Sequence, residues 1–218
     1  MATVVLIRAG WTDYDDQHRL LGTLDMPVND KGTEQIRTLV RQLQDADLRL
    51  QAVFSCPEDP AASTAAAIHE SQPWARLKEL DELRNVNQGL WQGLPEADIR
   101  KRFPRIFHQG KSNPVGICPP EGETLSDACQ RLSRVLSKAI RKYETLAIVA
   151  PEPLATVIRC TLQQRRPHVN ACLCGEEQPE MIQVIQTTAF DADQFVSGDS
   201  QPEIDVVSLT SAAREHSQ

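Results

Sequence analysis

A chain of 218 residues with 40% apolar content is long enough for one sizeable core and short for two full domains with an ordered linker. Its formal charge of −7 argues against a nucleic-acid backbone as the main ligand, since lysine and arginine drive that binding, and disfavours anionic metabolites unless a local basic pocket overrides the global field. The apolar run Val4 to Ile7 is too short for a signal peptide, and nowhere do about 18 apolar residues run together, so the expectation is a cytoplasmic protein with no membrane partner.

Thr3 to Ile7 is an apolar, β-branched run beside a polar loop, the pattern of a strand buried on both faces of a parallel sheet. From Gly32, the positions Ile36, Leu39, Val40 and Leu43 recur at helical spacing until Asp45 to Asp47 interrupts them. Leu50 to Ser55 reads as a second strand, and Asp59 to His69, alanine-rich and following Pro57, as a second helix. The clearest helix begins at Thr124, where Thr124 and Asp127 stand at capping-box spacing with aspartate in place of glutamate or glutamine. Leu125, Ala128, Leu132, Val135, Leu136, Ala139 and Ile140 form its apolar stripe, which places Arg131, Arg134 and Lys138 outward.

Thr145 to Ala150 is a further buried strand, followed by a helix from Pro153 to Gln163 whose proline takes a first-turn position. Met181 to Thr187 and Ile204 to Leu209 read as later strands, and the tail from Thr210 as frayed. This alternation predicts an α/β fold with a mainly parallel central sheet and helices on both faces, in three layers. It is expected to form one domain over residues 1–209, with a disordered tail over 210–218. Cys56, Cys118, Cys129, Cys160, Cys172 and Cys174 contain no CxxC pair and no partner cluster for a metal, so they read as reduced thiols, mostly small core residues. Neither a metal nor a cofactor is expected.

In such a sheet, ligands collect at the carboxyl ends of the strands, so the loops there carry the chemistry. Leu6 to Thr12 resembles "LIRHGET", with Arg19, Gly22, Asp25, Pro27 and Gly32 keeping the spacing that follows it. Ser55-Cys56-Pro57 with Thr64-Ala65 resembles "SSPLxRAxxTA", and Leu83 to Gly93 resembles "LxEixxGxWEG". Pro119 to Thr124 is similar to "PPGGES", and Ile148 to Glu152 stands where "VVSHG" belongs. These five segments, in this order from about residue 3 to residue 160, resemble the histidine phosphatase (phosphoglycerate mutase-like) superfamily.

The resemblance implies a histidine nucleophile, arginines and a second histidine that hold the phosphate, and a glutamate proton donor. The nucleophile position is Ala9, whose methyl group has no lone pair to form a covalent intermediate. The arginine position of the second motif is Pro60, the proton-donor position is the non-titrating Asn85, and the second histidine position is Pro151. The family's asparagine is Asp15, flanked by Asp13 and Asp16, and its glycine is Glu152. Arg8 is retained, and the nearby carboxylates predict that it pairs with Asp15 or Glu152 instead of recruiting a dianion. The ligand-contacting set carried over by the resemblance is Arg8, Gly10, Thr12, Asp15, Arg19, Glu123 and Glu152.

Compensating chemistry finds little support. His18 is a lone loop histidine, and Cys56 has no histidine or lysine beside it in sequence. Glu123 sits at a helix start, where the dipole favours a carboxylate, and Trp91 with Gly93 reads as packing. Arg100-Lys101-Arg102 reads as a solvated face. The sequence thus predicts a catalytically inactive pseudophosphatase with a regulatory, interaction or ligand-binding role toward a protein or small-molecule partner. The alternative is a phosphatase- or mutase-type phosphohydrolase with residual or rearranged activity. A third reading, drawn from the acidic loop Asp13 to Asp16, is a binding module for a cationic or neutral small molecule.

Overall fold

The computed structural model describes residues 1–106, 116–163 and 180–188 and the backbone of 206–207. The chain enters on β1 (Ala2–Arg8) and continues through a one-turn helix α1 (Asp13–Asp16), α2 (Asp30–Asp45), β2 (Ala52–Ser55), α3 (Ala61–Ser71) and β3 (Arg76–Glu79). Then come α4 (Glu96–Arg102), α5 (Leu125–Lys142), β4 (Thr145–Ala150), α6 (Leu154–Leu162), β5 (Ile182–Thr187) and β6 (Val206–Val207). The tail expected to fray lies outside the described residues, as do Cys172 and Cys174.

Local chemistry explains where the long helices start. Asn29 caps α2 by accepting the Gly32 amide at 2.9 Å, and Thr124 caps α5 in the reciprocal arrangement with Asp127 that the sequence anticipated. The Asp127 carboxyl is held below its ordinary pKa by the Thr124 hydroxyl and amide.

The strands form one sheet in the order β3-β2-β4-β1-β5-β6. β1, β2, β3 and β4 are mutually parallel, whereas β5 runs antiparallel to β1 and β6 antiparallel to β5. Leu146 to Ala150, five consecutive residues that point alternately to the two faces, are all 0% exposed, so both faces of the sheet centre are covered. α2 packs with α3, and α3 lies against β2, β3 and β4; α5 packs with α6, and both touch β1. Each fully buried leucine of α5, such as Leu132 or Leu136, contributes about 1.5–3 kcal/mol through removal from water.

A smaller cluster of Leu20, Trp91, Ile99 and Ile117 ties the loop after β1 to α4. Trp91 packs against Phe103 there, with ring centres 5.4 Å apart and planes tilted by 46°, the packing role its sequence context suggested. Among the described residues, no helix is long and apolar enough to cross a membrane. Parallel pairing aligns Arg8 with Ala150 and Phe54 with Ile148, so the loops that follow β1, β2 and β4 open from the same edge of the sheet.

Candidate functional site

The loop after β1 is pinned at each residue. The Ala9 amide donates to the Ala150 carbonyl at 2.9 Å, and its methyl group, 3% exposed, belongs to the main core. The Gly10 amide donates to Thr64 Oγ1 at 3.0 Å. A Cβ at Gly10 would stand 2.9 Å from Ile36 Cδ1 and 3.0 Å from Val28 Cγ1, so glycine is what lets α2 approach this turn. Thr12 caps α1, and its amide and hydroxyl donate to Asp15 Oδ2 at 2.7 and 2.9 Å. The other Asp15 oxygen accepts from Arg8 Nη2 at 3.4 Å. Arg8, with a side chain 11% exposed, therefore has one of the two carboxylate partners foreseen for it, and the Trp11 ring lies 5.3 Å from its guanidinium carbon.

Asn85 joins two of these loops. It is 4% exposed, its Nδ2 donates to the Glu152 carbonyl at 2.8 Å, and its Oδ1 accepts the Val86 and Leu154 amides at 2.9 and 3.2 Å. The Leu154 amide opens α6, so the Asn85 side chain satisfies a helix terminus that would otherwise be orphaned. Pro60 and Pro151 are both buried and offer neither charge nor a backbone donor. The Glu152 carboxylate accepts the Thr156 amide at 3.2 Å. Part of this residue reaches the surface, but the carboxyl is enclosed, and burial pushes its pKa up against the opposing pull of the Thr156 bond and the Arg8 charge.

Arg131 corrects the sequence reading. Expected to face solvent with Arg134 and Lys138, it turns inward, 24% exposed. Its Nη2 and Nε donate to the two Glu123 oxygens at 2.8 and 3.1 Å, and it also donates to the carbonyls of Glu82 and Asn85. Glu123 in turn accepts the Asn87 amide at 2.8 Å. These two residues clamp the loop carrying Asn85 to the start of α5. Glu123 one residue before the cap and Arg131 two turns on, at the margin of the apolar stripe, was the only signal for this pair. Arg19 is exposed and donates to the Gly93 carbonyl at 2.6 Å and to Gln17 at 2.9 Å. His18 is exposed as well.

Two clefts open near this edge. The first is lined by Cys56, Glu58, Asp59, Arg84, Asn85 and Pro151, and measures about 230 Å³ counting its mouth. Its one guanidinium, Arg84, pairs with Glu58 and with Asp81, and the Glu58 carboxylate raises the Arg84 pKa. Burial pushes the Cys56 thiol up to about 11, which makes it a poor nucleophile near neutrality. The second cleft is lined by Arg8, Glu152, Thr156, Arg159, Glu180 and Gln183. Arg19 and Glu123 line neither. Of the described cysteines, Cys56, Cys129 and Cys160 are buried as expected, whereas Cys118 is exposed. Among the described residues, no three histidine, cysteine or acidic side chains converge as a metal site.

Residues 4–170 match the family model of the histidine phosphatase superfamily (branch 1). The chain belongs to this superfamily. Its curated relatives include phosphoserine phosphatase 1 of Hydrogenobacter thermophilus, 22% identical over 164 residues, which cover 74% of this chain and 76% of that protein. The uncharacterized phosphatase PhoE of Bacillus subtilis is 27% identical over 188 residues, covering 83% of this chain and 90% of that one. The chain spans 44% of the length of a third relative, a bifunctional protein of Mycobacterium tuberculosis, at 26% identity. Among solved structures, mycobacterial glucosyl-3-phosphoglycerate phosphatase in complex with VO3 superposes with a TM-score of 0.71 at 21% identity, covering 85% of this chain and 93% of that chain. Bacillus stearothermophilus YhfR gives 0.70 at 22%, covering 92% and 98%. At such identities the structural likeness speaks for the fold alone.

The superfamily's motif segments meet in space through backbone and side-chain bonds: Ala9 to Ala150, Gly10 to Thr64, Asn85 to Glu152, and Asn87 to Glu123. The sequence foresaw the segments that meet but not the Arg131 clamp, nor the contributions of Thr156, Arg159 and Gln183 to the second cleft.

Proposed function

We propose that this protein is a non-catalytic member of the superfamily, a phosphatase fold retained for binding or regulation. The observation that carries the reading is Ala9, a methyl group 3% exposed at the end of β1, where the resemblance calls for the nucleophilic histidine. A covalent phosphoenzyme requires a lone pair at that point. Around it, Asn85 uses its carbonyl oxygen and one amide proton on neighbouring backbone and has no acid proton to give. Arg8 is engaged by Asp15 and Arg84 by Glu58 and Asp81, so both of these cations are paired to carboxylates.

A phosphate dianion entering the first cleft meets Glu58 and Asp59. Glu58 is already neutralised by Arg84, which leaves Asp59 unbalanced and no guanidinium spare for the incoming dianion. Losing a single electrostatic stabiliser already costs roughly a hundred- to a thousandfold in rate, and here the missing groups accumulate.

The test is incubation with an aryl phosphate, followed by a search for acid-labile phosphoprotein. Neither turnover nor phosphoprotein above the blank is expected. Ala9→His alone restores no activity, because Pro60, Asn85 and Pro151 still lack charge and acid. Robust turnover that Arg8→Ala abolishes overturns the proposal. The retained Arg8 and the phosphatase names of several relatives favour a second reading, a residual phosphohydrolase using water directly, and that same turnover is the result it requires.

A further inference from the structure

The outer edge of the sheet is open at β3. This strand pairs with β2 alone, and the Arg76 and Leu80 amides at its ends donate to the Gln51 and Ser55 carbonyls on that side at 3.1 and 2.8 Å. Successive residues of a parallel strand direct their backbone groups to opposite sides, so the N–H and C=O of Leu77 and Glu79 point away from β2. Among the described residues they have no partner. β3 and the connections on either side of it fall within the described stretch 1–106. An open row of this kind is a template for an added strand.

The surrounding side chains select which strand. Phe54 and Lys78 are neighbours in register and share a face of the sheet, as does Arg76 two residues back. Lys78 Nζ lies 6.0 Å from the Phe54 ring centre, Phe54 packs edge-on against Tyr143 at 5.8 Å, and Lys142 Nζ lies 5.5 Å from the Tyr143 ring centre. Lys138 and Lys142 share one flank of α5 with Arg131, and that flank reaches the end of β3, because Arg131 donates to the Glu82 carbonyl. In a chain of net charge −7, Arg76, Lys78, Lys138 and Lys142 thus gather beside this edge, and none is ion-paired to a described carboxylate. Glu79 points to the opposite face. At the head of the strand Trp74 is 54% exposed, with Arg49 5.3 Å from its ring centre, an aromatic anchor of the kind interfaces use.

We infer that β3 receives an extended acidic segment of a partner protein, added to the sheet as a further strand with carboxylates at alternate positions facing Arg76, Lys78 and Lys142. A second copy of this chain fits less well. Joined edge to edge about a two-fold axis, it sets Arg76 against Lys78 when centred on Leu77, and Lys78 against itself when centred one residue on. An active phosphatase would carry the same edge, so aryl phosphate turnover neither supports nor refutes the inference.

The experiment is fluorescence anisotropy of the full-length protein with a fluorescein-labelled hexapeptide alternating glutamate and valine, compared with a lysine–valine peptide and a single-stranded oligothymidylate. Saturation by the acidic peptide with a Kd below about 100 µM is expected, and neither comparison saturates below about 1 mM. Lys78→Glu combined with Lys142→Glu weakens binding at least about tenfold. Glu79→Pro removes one outward N–H without touching the bonds to β2 and weakens binding about tenfold, although loss of the carboxylate makes the edge more basic. Glu79→Ala, which keeps the N–H, does not weaken it, and the lysine pair decides the question even where the proline variant unfolds. The inference is overturned if the acidic peptide fails to saturate at about 1 mM, if Glu79→Pro binds like Glu79→Ala, if the lysine variant binds like wild type, or if the oligothymidylate binds as tightly. A dimer that Glu79→Pro dissociates overturns it as well, since a second copy then holds the edge.

Discussion

Asn85→Asp exchanges a single NH2 for an oxygen, leaves the side-chain volume unchanged, and strikes the joint between two site loops. In the native chain Nδ2 donates to the Glu152 carbonyl at 2.8 Å while Oδ1 accepts from Val86 and Leu154. After the exchange, an ionised carboxylate oxygen faces that carbonyl across the same gap, and two acceptors confront each other in a residue 4% exposed. The lost bond is worth about 1 kcal/mol and the stranded carbonyl about 1–3 more, so a deficit of roughly 2–4 kcal/mol is expected near pH 8. Protonation repairs the contact, because a neutral carboxyl donates where the amide did.

The new group therefore has a folded-state pKa above its unfolded value near 3.9, and the native state holds the proton more tightly. The deficit is smallest below that unfolded value and grows by about 1.4 kcal/mol per pH step of one as pH rises toward the folded pKa. Urea unfolding of wild type and variant at pH 5 and pH 8 reads this out. A loss below about 1 kcal/mol at pH 8, or one identical at both pH values, refutes the account of Asn85 as a donor and acceptor that the loops require.

Arg131→Met removes the clamp on Glu123 and two backbone carbonyls and is expected to cost about 2–4 kcal/mol by leaving a mostly buried carboxylate alone. Arg134→Met on the exposed face of the same helix stays within about 0.5 kcal/mol, and equal effects in thermal unfolding would remove the distinction. Iodoacetamide at pH 8 modifies exposed Cys118 at least about a hundredfold faster than Cys56 or Cys129, measured by peptide mass spectrometry. Burial lifts those two thiols to about 11 and about 12, which leaves on the order of a thousandth or less of each as thiolate. Comparable rates would mean that β2 and α5 open far more readily than their packing implies.

The parts of the fold written in local chemistry were legible. The capping box at Thr124 and the stripe through Leu132 and Leu136 placed α5, and unbroken apolar runs placed β1 and β4 at the sheet centre. β3 escaped because Arg76-Leu77-Lys78-Glu79 forms an edge, paired with β2 alone, and needs little apolar content there. The antiparallel direction of β5 escaped because an apolar run such as Ile182 to Thr187 is the same whichever way it enters the sheet.

In the site, Arg8 with Asp15 was readable from seven-residue proximity and charge sign. Arg131 was not, since helical periodicity assigns a residue at the margin of a stripe to solvent until a partner such as Glu123 claims it. Thr156 and Gln183 come from α6 and β5, and only the sheet brings them to one cleft.

Vanadate adopts the geometry of a phosphoryl group in transfer, so its affinity reports directly on whether this fold can hold one. Titration of the full-length protein with vanadate, followed by calorimetry, is expected to give no saturable binding below about 10 mM, weaker than ~3 kcal/mol. Stoichiometric micromolar binding that Arg8→Ala eliminates would mean that the end of β1 still presents a working anion pocket, and would contradict the non-catalytic account.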